Sequence, residues 1–337
     1  MYLTLLDENV EEIKTNFKNK PYFVFLSLTN ACNANCVFCD VRTNKEILCD
    51  IDVYKLIDEL AEMGTKYIHF TGGGEPLTDK NIFDYMKYAS KKGINIVFIS
   101  NGYLLNEQNI SKLEGINLKV AFLSLDSAKS CIHNKLRRTN ELFEKATSAI
   151  NLLKKKFPDI KINLNHVLNK DNIDEFENFI KLKDLYNFDF LNPILIKDCI
   201  ELTPTQEQIR SFKEKKDYYL QLLKEKKLKL LCDSLNLFES NIDERGNRSQ
   251  NDDMRCSFAN FCAFVDAPSG KVYPCDCSIH RDRKLYCLGD LHNDNFKDIW
   301  NGEKRKNLIN QLNRGELSCK TMCDEANCLF NKKFYER

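Results

Sequence analysis

The stretch YFVFLSLTNACNANCVFCD (22–40) runs from an apolar segment directly into three cysteines, Cys32, Cys36 and Cys39, at C-x3-C-x2-C spacing. Three is one short of a closed zinc or iron–sulfur site and odd for a disulfide framework. The thiols lie too close together for a regular strand or helix to aim all three at one centre, so a loop wrapped around a metal is expected. Iron–sulfur clusters are normally held by four cysteine thiolates, whereas a catalytic metal keeps one position for substrate or water. Two readings stand at this point: an iron–sulfur cluster with one open iron, or a zinc site that borrows a distant fourth cysteine.

Working outward, short β-branched or aromatic runs alternate with segments of helical period. The strand candidates are YFVFLSLT (22–29), KYIHFT (66–71), NIVFIS (95–100), KVAFLSLD (119–126), KINLNHV (161–167) and FDFLNPILI (188–196). Between them, Val53, Leu56, Ile57, Leu60 and Met63 recur at helical spacing before Gly64, as do Ile82, Tyr85, Met86 and Ala89 before Gly93. Six strands alternating with helices predict βαβ units and a parallel sheet. Chemistry then belongs at the C-terminal strand ends, where TNACNANC, TGGGEP, SNG and SLDS follow the first four strands. The alternation stops near residue 200. A charged helix is expected over 201–237, a polar linker over 240–253, and a loop-rich module organised by metal from about 254.

Charge is balanced, 50 Lys and Arg against 49 Asp and Glu, so no basic field argues for nucleic acid or an anionic membrane. The N-terminus is acidic where a signal peptide needs a basic start, and no apolar run approaches membrane length. The chain is therefore read as cytoplasmic, where 15 cysteines favour metal ligation over disulfides. Cys49, Cys131, Cys199 and Cys232 read as small buried hydrophobes. The five histidines are scattered without metal or triad spacing, which gives hydrolytic chemistry little support, and His69 reads as a core residue.

TGGGEP (71–76) follows a strand and precedes a helix. Its glycines let backbone approach a ligand closely, and Glu75 adds a carboxylate suited to an ammonium. A phosphate loop is disfavoured, because no Lys-Ser/Thr follows and the acid would repel phosphate. An open iron beside such a loop suggests a ligand carrying both amine and carboxylate.

CNANCVFC resembles the signature loop of the radical S-adenosylmethionine (radical SAM) enzymes, and GGGEP is similar to that family's motif for the methionine amino group. The resemblance covers about residues 20–200. It implies an α/β fold, a partial (β/α)6 TIM-like barrel, with Cys32, Cys36 and Cys39 on a [4Fe–4S] cluster and SAM at the open iron. It also implies that Phe38 lies near the adenine and that Gly73, Gly74 and Glu75 meet the amine. Asn101, Ser124 and Arg137 are expected at the ribose or carboxylate. In SLDSAKSCIHNKLR, Asn134 stands where Asp is usual, and Arg138 follows where Gly is common.

The tail carries a second resemblance. Cys256, Gly270 and Cys275 in CSFANFCAFVDAPSGKVYPC match the C-x(9–15)-G-x4-C opening of SPASM and twitch auxiliary-cluster modules, and CLGDLHNDNFKDIW is similar to the segment that follows. CKTMCDEANC departs from the full SPASM pattern, giving C-x3-C-x4-C and no later cysteine. The resemblance implies at least one auxiliary [4Fe–4S] cluster, held by Cys256, Cys275 and two of Cys262, Cys319, Cys323 and Cys328. Cys277 has no ligand role in it and is expected to donate a hydrogen atom to a product radical, with Cys131 a weaker candidate.

The expected organisation is an extension (1–20), the barrel (21–200), helix and linker (201–253) and the auxiliary iron–sulfur domain (254–337). The expected reaction begins with hydrogen-atom abstraction by a 5′-deoxyadenosyl radical, with electrons from a flavodoxin- or ferredoxin-type donor. Modification of a ribosomally made peptide or protein is placed first, although about 20 residues before the first strand are too few for the peptide-recognition domain many maturases carry. Dehydrogenation or epimerisation of a sugar or aminocyclitol is the alternative, and a non-catalytic iron–sulfur or zinc protein the reading of another class.

Overall fold

The computed structural model describes residues 10–17, 19–39, 49–196, 199–230, 235, 256–280 and 282–317, apart from the side chains of residues 277 and 280. Six strands form the barrel: β1 (Phe23–Ser27), β2 (Tyr67–Thr71), β3 (Asn95–Ser100), β4 (Leu118–Ser124), β5 (Lys161–Leu168) and β6 (Phe190–Leu195). They pair parallel in chain order, so every C-terminal strand end lies at one rim. The expected strand positions hold to within two residues.

The sheet curls. His69 on β2 stacks on Phe122 of β4 with centroids 5.2 Å apart, although β3 lies between them and a flat sheet would separate those strands by roughly 10 Å. Side chains on this concave face, including Phe25, His69, Val97, Val120, Phe122 and Phe190, fill the barrel. The convex face packs against helices. The helix Val53–Glu62 buries Val53, Leu56, Ile57 and Leu60, and the Asp52 side chain caps its N-terminus by accepting from the Lys55 N–H. Gly64 ends that turn at φ +81°, a conformation glycine adopts without Cβ strain.

Two expectations change. The charged segment after 200 is two helices, Gln206–Glu214 and Lys216–Glu225, followed by β7 (Lys229–Leu230), which extends the sheet beside β6. Past the second helix the chain turns toward β7 through Lys227, which takes the left-handed conformation at φ +53°. The cysteine-rich tail is also more than a metal-organised appendage. Its strand β8 (Cys262–Asp266) pairs parallel with β1, then β9 (Lys271–Tyr273) and β10 (Gly289–Asp290) continue antiparallel. The sheet thus has ten strands in the order β10-β9-β8-β1-β2-β3-β4-β5-β6-β7. Phe258, Phe261, Ala263 and Val265 belong to the main apolar core, so apolar burial organises this region. Farther along, Trp300 donates its Nε1–H to Asn19 O at 3.0 Å and stacks under Arg305, which ties the tail to the N-terminal segment. Among the described residues no helix is long and apolar enough to cross a membrane.

Candidate active site

The cysteine loop leaves β1 after Ser27 and is clamped from two sides. On one side lies TGGGEP. The Gly73 N–H donates to Ser27 Oγ at 3.0 Å, the Gly74 N–H to Thr29 O at 3.0 Å and the Glu75 N–H to Ala31 O at 2.8 Å. A Cβ on Gly74 would collide with the Ala31 carbonyl, so the close approach of the two loops requires glycine there. On the other side is the last turn of the helix Ser130–Arg137. Its carbonyls at Leu136 and Arg137, which lack intrahelical partners at a helix end, accept the N–H groups of Val37 (2.8 Å) and Asn35 (3.2 Å). Arg138 then turns the chain in the left-handed region at φ 47°, ψ 43°, which explains why glycine suits this position in the family motif.

These clamps surround an open cavity of about 600 Å³, within the size range of small-molecule sites. Cys32, Cys36, Phe38 and Cys39 line it from the cysteine loop. Gly73, Gly74, Glu75, Asn101, Ser124 and Arg137 line it from the strand ends and the helix, so every expected SAM-site residue reaches one cavity. Ser124 makes no hydrogen bond through its hydroxyl among the described residues, which leaves that group for a ligand. Burial pushes the Cys32 and Cys36 thiols up, and at Cys36 the neighbouring Arg137 guanidinium acts in the opposite direction.

The donor set fits an iron–sulfur cluster: three soft sulfur ligands on one short loop beside open space. Among the described residues no three side chains of His, Cys, Asp or Glu already stand at metal-binding distance. On holding a cluster the three thiols would ligate as thiolates and release their protons.

Two of the expected residues also hold the loops together. Glu75, expected to meet an ammonium, is 3% exposed, and its carboxylate is largely occupied by protein. It accepts from Ser100 Oγ (2.8 Å), Leu77 N–H (3.2 Å) and Asn101 N–H (2.7 Å). Burial still pushes its carboxyl up despite these donors. Glu75 is foremost the bolt that fixes the glycine loop to the end of β3. Asn101 in turn donates its side-chain amide to Asn33 Oδ1 at 2.7 Å, joining β3 to the cysteine loop.

Arg137 is the arginine of the segment that enters the cavity, with its guanidinium 5.3 Å from the Phe38 ring centroid. It is held by a residue the sequence reading missed. Asp126, fully buried at the end of β4, accepts from Arg137 Nε at 2.6 Å and from the Val167 N–H at 3.0 Å. Burial raises its carboxyl, but Arg137 and His133 outweigh that and hold it below the usual carboxylate range. An aspartate ending a strand eleven residues before an arginine was the available signal. Spacing alone does not reveal that the two meet.

In the tail, Cys256, Cys262 and Cys275 are buried. Cys262 lies on β8, wholly enclosed, and burial pushes its thiol well above the usual value. Cys319, Cys323 and Cys328 lie outside the described residues, as does the side chain of Cys277. Cys131 is exposed and does not line the cavity.

With this geometry in view, a family model described as the radical SAM superfamily matches residues 26–182, and one described as an iron–sulfur cluster-binding domain, SPASM, matches 256–328. The AdoMet-dependent heme synthase of Methanosarcina barkeri is 30% identical over 184 residues, 52% of each chain. Mycofactocin maturase MftC of Mycobacterium ulcerans is 27% identical over 169 residues, 49% of this chain and 45% of that protein. The matched region is thus about half the length of these curated relatives. The solved structure of anSMEcpe with bound AdoMet shares the fold at a TM-score of 0.65 and 19% identity, covering 94% of this chain and 96% of that one. The family models coincide with the cysteine loop and its barrel and with the cysteine-rich tail, and the chain belongs to the radical SAM superfamily, with the [4Fe–4S] cluster and SAM that membership implies and a SPASM iron–sulfur domain at its C-terminal end.

Proposed function

We propose that this chain is a radical SAM enzyme that modifies a ribosomally made peptide or protein. The observation that carries the chemistry is the single cavity shared by the three-cysteine loop, the glycine loop and Arg137. When bound, the reduced cluster supplies the electron that cleaves SAM to methionine and a 5′-deoxyadenosyl radical, which takes a hydrogen atom from the substrate.

The protein's own residues bind and orient. Cys32, Cys36 and Cys39 would hold the cluster, and the strand-end backbone of Gly73 and Gly74 would face the SAM amine. Ser124 Oγ is free for a ribose or carboxylate oxygen, and Arg137, steadied by Asp126, offers its remaining N–H groups to a carboxylate. Phe38 presents an aromatic face for the adenine. Cys256 and Cys275, with two of Cys262, Cys319, Cys323 and Cys328, would hold an auxiliary cluster. The reductant is a flavodoxin- or ferredoxin-type protein, and the setting is the reducing cytoplasm.

Likeness to a maturase favours the peptide substrate. Likeness to heme synthases supports a second reading, a porphyrin. Anaerobic reconstitution with iron and sulfide, followed by SAM and dithionite, tests the chemistry. Formation of 5′-deoxyadenosine is expected, with none above background in Cys36→Ala. Absence of that product from the wild-type protein, or zinc in place of iron and sulfide, refutes the reading. Mass spectrometry of products formed with a precursor peptide from the gene's neighbourhood or with an iron porphyrin separates the two substrates.

A further inference from the structure

Three asparagines line the barrel wall on the β5 and β6 side, and nothing in the SAM site uses them. Register places Asn163 level with Phe122 and Phe190, and Asn165 level with Ser124 and Asn192. In-register residues of parallel strands share a face, and Phe122 and Phe190 belong to the cluster filling the barrel. All three amides therefore point inward. Asn165 adjoins Ser124, a wall of the SAM cavity.

Their hydrogen bonds form one unit. Asn165 Oδ1 accepts from Asn163 Nδ2 and from Asn192 Nδ2, each at 2.9 Å. Asn163 is fully buried and its Oδ1 has no partner, an arrangement that costs stability in a core lined by phenylalanines. The compensating feature is the state of the other two amides. Asn165 Nδ2 and Asn192 Oδ1 are left without protein partners among the described residues, on half-buried side chains. Turning all three amides over exchanges donor and acceptor but still leaves one of each side by side.

We propose that Asn165 and Asn192 form a substrate-binding pair for a peptide amide, with Asn163 as the positioning residue that braces them. This rests on the peptide reading above and deepens it. A neutral donor beside a neutral acceptor complements an amide, whose carbonyl accepts and whose N–H donates. Carboxylates such as porphyrin propionates are instead met by charged donors, and this part of the wall carries neutral amides and a hydroxyl. The position beside Ser124 sets the bound segment next to the SAM site, where a peptide C–H can be reached.

The test uses the reconstituted, dithionite-reduced enzyme with SAM and a pool of perdeuterated short peptides, read as the fraction of 5′-deoxyadenosine that carries deuterium. The key variant is Asn165→Asp, which keeps the oxygen that accepts from both neighbours but replaces the outward NH2 with an acceptor. Deuterium transfer from peptides is expected in the wild-type enzyme. The labelled fraction should fall about tenfold or more in Asn165→Asp and in Asn192→Ala, while Asn165→Asp keeps its urea midpoint. A wild-type labelled fraction in Asn165→Asp overturns the inference and leaves the peptide reading standing. Deuterium drawn from perdeuterated glucose or a deuterated porphyrin, but not from peptides, overturns both.

Discussion

Replacing Asp126 with alanine probes how the cavity's arginine is held. The native carboxylate is fully buried, bonded to Arg137 Nε at 2.6 Å and to the Val167 N–H at 3.0 Å. The Arg137 side chain is only 11% exposed. Removing one partner of a buried ion pair costs about 3–5 kcal/mol, because the other charge is left uncompensated. Here Arg137 borders an open cavity and lies over Phe38, so part of its charge can rehydrate or rest on the ring. These routes place the expected cost at the lower end, about 3 kcal/mol. The orphaned Val167 N–H belongs to the same network and is not added separately.

Trp300, the only tryptophan, offers a convenient fluorescence signal for anaerobic urea unfolding. With a slope of roughly 3 kcal/mol/M, the midpoint should fall by about 1 M. Arg137→Leu strands the opposite charge and should cost a similar amount. The double variant removes both charges, so its cost should be smaller than the sum by at least about 2 kcal/mol. A midpoint shift in Asp126→Ala below about 0.2 M, or strict additivity in the double variant, would refute a buried pair as the support for Arg137.

Gly74→Ala should push the glycine loop off the Ala31 carbonyl and weaken SAM binding at least about tenfold, measured by equilibrium dialysis on the reconstituted protein; unchanged affinity counts against the close approach. Cys36→Ala should lose about four irons per chain relative to wild type, and full retention of iron would place the cluster elsewhere. Buried His133 and His166 have their pKa values lowered to about 4, and His69 to about 3, chiefly by desolvation. A pKa lowered by folding gives stability that is complete above the unfolded value near 6.5 and is lost as pH falls through the native value. The urea midpoint should therefore drop between pH 6.5 and 4, less steeply in His166→Gln, and a slope unaffected by that change would remove His166 from the account. Cys277→Ala should alter turnover or product stereochemistry if that thiol delivers a hydrogen atom; unchanged values for both end the idea.

The strands and both loops were legible because each is announced locally. Apolar runs of four to seven residues end in Gly-, Asn- or Ser-rich clusters, and the cysteine spacing needs no knowledge of distant chain. What escaped depends on contacts between remote segments. CAFVD (262–266) is a short apolar run that looks like any buried segment, and only its pairing with β1 makes it an extension of the barrel sheet. Asp126 and Arg137 are both visible in SLDSAKSCIHNKLR, but the helix Ser130–Arg137 has to fold back on the strand end before one becomes the other's counter-ion.

The asparagines of β5 show a more general inversion. KINLNHVL alternates apolar and polar residues, a pattern that normally signals a strand with one wet face. Here Ile162 and Leu164 are buried under helices, yet Asn163 on the opposite face is just as thoroughly enclosed. Curling the sheet turns what would be the solvent face into the barrel lumen, where an amide must find a partner in the protein or in a ligand. Asn163 spends its N–H2 on Asn165, and Asn165 and Asn192 are left with one open donor and one open acceptor beside Ser124. In a curled parallel sheet, then, the polar half of an alternating strand is the half to search for substrate contacts.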